Sequence, residues 1–150
     1  MLRTSYQFGL DRWGLALFLA VMLPNFLWFA VPAPCDILRA ESLTPVLDAV
    51  ASVLQVLLAA ALCLLRRREA AAVRRAPWNA AAALCVLAYY AGWAAYYDGN
   101  AGALVLALLT VPPCLSFLFY TAGHRNLAAL VPAAAFTVCH LLHSILNYWV

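Results

Sequence analysis

Lysine is absent from this chain of 150 residues, and acidic side chains number only six. Charged residues make up 10% of the sequence, where a soluble domain carries roughly 25%. Hydrophobic residues fill 67%, against about 45–50% in a typical soluble fold. An ordinary water-soluble domain is therefore excluded. The five cysteines show no C-x-x-C spacing, which argues against a dithiol redox motif or a cysteine zinc site. H-E-x-x-H is missing too, and so is any nucleophile–base signature. No internal repeat and no Ser/Gly-rich linker is present. The net charge of +3 does not indicate nucleic acid, because the positive charge sits in short breaks beside apolar runs.

What the chain does have is five apolar stretches, near 13–33, 43–65, 77–97, 101–122 and 127–148. Each is close to the roughly 20 residues that cross a hydrocarbon core. The first is longer than the roughly 7–15-residue apolar region of a signal peptide, so it is expected to be a retained helix. The fold class is all-α: one integral membrane domain, a bundle of five transmembrane helices.

Assigning the breaks alternately to two membrane faces sorts the arginines. Eight of the nine basic residues, all arginine, fall on one side, and only Arg39 falls on the other. Short cytoplasmic loops retain arginine, so the N-terminus is expected inside and the C-terminus outside. Abundant alanine and arginine without lysine suit a GC-rich bacterial genome, and the expected location is a bacterial cytoplasmic membrane. Arg66, Arg67, Arg68, Arg74 and Arg75 then face anionic lipid headgroups.

Polar residues within the spans concentrate at one depth. At a rise of about 1.5 Å per residue, Asn25, Tyr89 and His140 lie about 11–12 Å from the outer end of their spans and Thr110 about 14 Å. Gln55 is deeper, at about 18 Å. Above them come Trp28, Asp48, Trp93, His143 and Asn147, so all five spans contribute. The inner half carries few such groups. Thr44, Asp48, Ser52 and Gln55 share one helical face, as do His140, His143 and Asn147. A polar face turned to lipid is costly, so these faces are expected to meet protein or water.

These residues define a ligand-binding pocket opening outward: Asn25, Trp28, Asp48, Gln55, Tyr89, Trp93, Thr110, His140, His143 and Asn147. Tyr89 and Trp93, four residues apart, suit an apolar or cationic ligand. Asp48 is the only carboxylate within a span, which makes it a functional candidate, although a first-turn anion also suits the helix dipole. His140 and His143 are spaced to share one metal, but packing polarity explains them more simply, and they stand as weak metal candidates only. Tyr96 and Tyr97 read as an interfacial aromatic belt. Thr44 reads as a helix cap before Pro45, and Gly123 as a C-terminal cap. Pro112 and Pro113 cannot donate to the carbonyls of Leu108 and Leu109, which predicts a kink or break in the fourth span.

Three roles fit these features. One is small-molecule binding or transport, as a homo-oligomer if transport. A second is an accessory subunit of a larger membrane complex, its polar stripes joining helices. The third, placed last, is a membrane enzyme using Asp48 with His140 or His143. No catalytic residue and no cofactor is assigned from the sequence.

Overall fold

A computed structural model describes residues 6–67 and 75–149. Five helices carry the chain: α1 (Arg12–Ala30), α2 (Pro45–Leu64), α3 (Ala76–Tyr97), α4 (Ala103–Gly123) and α5 (Leu127–Tyr148). All five are long and apolar enough to cross a membrane. The molecule is a polytopic helical membrane bundle, with helix ends within a few residues of those expected. α3 lies against α4 and α2 against α5, α4 and α5 join the two pairs, and α1 touches α2, α3 and α4.

Local chemistry sets the boundaries. Asp11 caps α1, accepting from the amides of Trp13 and Gly14 at 3.1 Å each, and Asn126 caps α5 through Ala129 N. Both use the side-chain acceptor that an N-terminus needs. Thr44 does not cap α2, contrary to expectation: its hydroxyl is 3.0 Å from His143 Nδ1 and accepts from Asn147 Nδ2 at 2.8 Å. A tertiary partner has outcompeted the local one.

Gly123 belongs to α4 itself, and the positive φ of that turn falls on Arg125 (50°). Gly123 is needed for another reason: a Cβ there would lie 2.4 Å from Trp78 Cβ. Pro112 and Pro113 sit buried inside an unbroken α4, so the prolines are tolerated within a packed helix rather than splitting it.

Two short strands escape the sequence pattern, since three residues are too few to show a period. β1 (Tyr6–Phe8) pairs antiparallel with β2 (Leu65–Arg67), with Tyr6 opposite Arg67 and Phe8 opposite Leu65. The entry to α1 is thereby tied to the exit of α2.

One end of the bundle carries Arg12, Arg66, Arg67, Arg75 and Arg125; Arg68 and Arg74 lie outside the described residues. The half nearest this end is not as apolar as expected. Tyr120 donates to Asp11 at 3.2 Å and stacks on His124, with ring centroids 4.0 Å apart. His124 Nε2 lies 3.2 Å from Asn79 Oδ1. Burial, and then the charges of Arg75 and Arg66, push the His124 pKa below its ordinary value. Asn126 donates to Leu65 O at 2.8 Å. These residues sit at helix ends, where counting depth along a span misses them.

Candidate functional site

The connection from α1 to α2 is held at the end away from the arginines. Asp36, with a side chain 11% exposed, gathers its donors there. Trp28 Nε1 donates at 2.8 Å, Tyr96 hydroxyl at 3.0 Å and Arg39 Nε at 2.7 Å, and Ala33 N donates at 3.3 Å. Burial alone would raise the carboxyl pKa, but bonds from Trp28, Arg39, Tyr96 and Ala33 outweigh it and hold Asp36 below the usual aspartate value. Arg39 also donates to Trp28 O, and its guanidinium lies 4.8 Å over the Trp28 ring. Tyr96 is fully buried and donates within this knot, so it is no belt residue. Tyr97 bonds Val31 O at 2.7 Å from a more exposed position. Asp36 stands out in no sequence pattern, because its donors come from α1, its own connection and α3.

Beneath this knot lies a cavity of about 520 Å³, with walls from all five helices and Leu38 from the connection. Nine of the ten residues singled out as ligand-binding line it. Asn25 and Trp28 come from α1, Asp48 and Gln55 from α2, and Tyr89 and Trp93 from α3. Thr110 comes from α4, and His140 and His143 from α5. Asn147 does not reach the wall. It accepts from Leu43 N at 2.6 Å and donates to Thr44 and His143 O, fastening the end of α5 to the start of α2. The wall residues exposed at the surface, Phe29 (66%) and Ser52, lie on α1 and α2. The rim thus falls between those two helices.

Several wall groups already bond helix to helix. Asn25 Nδ2 donates to Tyr89 hydroxyl at 2.9 Å, and Thr110 and Ser144 hydroxyls are 3.0 Å apart. Gln55 Nε2 meets Met22 Sδ at 3.2 Å. Asp48 Oδ1 lies 2.6 Å from His143 Nδ1. The same Nδ1 lies 3.0 Å from the Thr44 hydroxyl and 3.1 Å from Asn147 Nδ2.

Two wall groups lack partners. Trp93 is 6% exposed, and its Nε1 is the one buried side-chain polar atom without a hydrogen bond among the described residues. Its ring meets Tyr89 edge-on at 6.2 Å. His140 stacks on Phe136, with centroids 5.2 Å apart, and makes no hydrogen bond among the described residues. A buried unsatisfied polar group costs about 1–3 kcal/mol, so Trp93 Nε1 asks for an acceptor that the described residues do not supply.

Ser144 pairs with Thr110, and Ser52 donates to Asp48 O at 2.8 Å, so neither hydroxyl meets a histidine. Among the described residues no group of three or more His, Cys, Asp or Glu is arranged to hold a metal. Cys35 is exposed, while the other four cysteines are buried or half-buried within helices.

Comparison with protein-family models, with curated proteins and with solved structures finds no match to this chain.

Proposed function

We propose that this chain is a small-molecule-binding membrane protein, a receptor or small transporter, whose ligand occupies the cavity among the five helices. The observation that carries this reading is the unpaired Trp93 Nε1, buried at the wall of a cavity of about 520 Å³. Ligand pockets run from about 300 to 1,000 Å³, mostly apolar with a few convergent polar groups. An acceptor on the ligand would satisfy Trp93, and a polar group would satisfy His140. In this reading the arginine end lies in the cytoplasm of a bacterium, where Arg66, Arg67 and Arg75 meet anionic headgroups.

A second reading, an accessory subunit of a larger membrane complex, draws support from the Asn25–Tyr89 and Thr110–Ser144 bonds, in which wall residues join helices.

A thermal-unfolding screen of the purified protein separates the two. The panel holds lipophilic amines, porphyrins, lipids and divalent metals at pH 5–8, with Trp93→Phe and His140→Ala alongside. A ligand at 100 times its Kd adds about 2.7 kcal/mol. The binding reading predicts a stabilisation of the wild type that shrinks in both variants. A flat panel with both variants destabilised favours the accessory-subunit reading.

A further inference from the structure

The charge inventory of the cavity restricts what can enter it. Asp48 faces it from α2, Tyr89 from α3, and His140, His143 and Tyr148 from α5; α1, α4 and the connection contribute no titratable group. Among the described residues, no arginine or lysine lines the wall. An anion would meet Asp48 with no fixed positive partner, in a medium where unlike and like charges count for several times their value in water. A cation would meet a counter-ion. It would also meet aromatic faces, since Trp28, Tyr89, Trp93, Phe136 and Tyr148 all line the wall. The Arg39 guanidinium already lies over the Trp28 ring from the connection side. The rim between α1 and α2 bears the exposed Phe29 ring, which suits an apolar body arriving from the bilayer.

We propose that the cavity takes a lipophilic ammonium ion, with Asp48 as its counter-ion. The proposal rests on the cavity being the binding site. Asp48 Oδ1 lies 2.6 Å from His143 Nδ1, which fixes the carboxyl at the wall, and the aromatic faces receive the ammonium and its apolar body.

The test is titration calorimetry on the full chain in lipid nanodiscs. The probe is benzyltriethylammonium, whose charge does not titrate, beside its uncharged carbon isostere. The cation is expected to bind at least tenfold tighter than the isostere. Asp48→Asn should lose that preference for charge, and His143→Gln should keep it. Equal binding of cation and isostere by the wild type overturns the ammonium assignment and leaves the cavity reading standing, and that wild-type measurement decides even if a variant fails to fold. If neither probe binds while another compound of the stability panel does, the ligand class is wrong; if nothing binds, the cavity reading falls with it.

Discussion

Asp36 draws its donors from α1, the connection itself and α3, and so decides whether the connection stays over the cavity. Tyr96→Phe removes one of those donors and leaves a buried apolar ring. Hydrogen bonds to charged groups contribute about 1.5–3 kcal/mol, and a loss of that size is expected in equilibrium unfolding. The same carboxyl carries a pH dependence. Its folded pKa lies below the ordinary aspartate value, so the unfolded state takes up the proton first as pH falls. The stabilisation is complete above the unfolded value and is lost as pH falls through the folded one. Melting temperatures of wild type and Asp36→Asn, measured from pH 3 to 7, should differ most at the top of that range and converge at the bottom. A constant gap would contradict the account.

At the scale of elements, α3 and α4 meet closely because Gly92 lets them. A Cβ at Gly92 would lie 2.8 Å from Leu108 Cβ and 3.2 Å from Leu108 C, and part of that obstruction is backbone that cannot step aside. Gly92→Val should therefore destabilise by about 1–3 kcal/mol, as overpacking does, measurable in the same unfolding assay. The five helices were legible in the sequence because apolar run length is a direct consequence of bilayer thickness. The cavity was legible because depth follows from helical rise, which brought Asn25, Tyr89, Thr110 and His140 to one level. Partner choice was not legible. Thr44 reads as a cap but bonds α5, Tyr96 reads as a belt residue but lies buried on Asp36, and the β1–β2 pairing depends on residues about 60 positions apart. Local pattern holds no information on such meetings.

For the whole molecule, one native residue reports which end faces which compartment. Cys35 is exposed in the connection at the end away from the arginines, and the other cysteines lie within helices. A membrane-impermeant maleimide applied to intact spheroplasts should label wild type and not Cys35→Ser. Labelling that appears only after permeabilisation would invert the orientation expected from the arginines.

The central claim is that the cavity among the five helices is where a ligand sits. It is tested most directly by filling that space. Ala51 lines the cavity and is 8% exposed, so Ala51→Phe puts a ring into the void without removing a polar partner. Equilibrium binding of the best ligand from the stability panel should weaken at least a hundredfold in Ala51→Phe, in protein that still melts cooperatively near the wild-type temperature. Unchanged affinity in that variant would mean that the ligand binds elsewhere on the bundle, and the account of the cavity would be wrong.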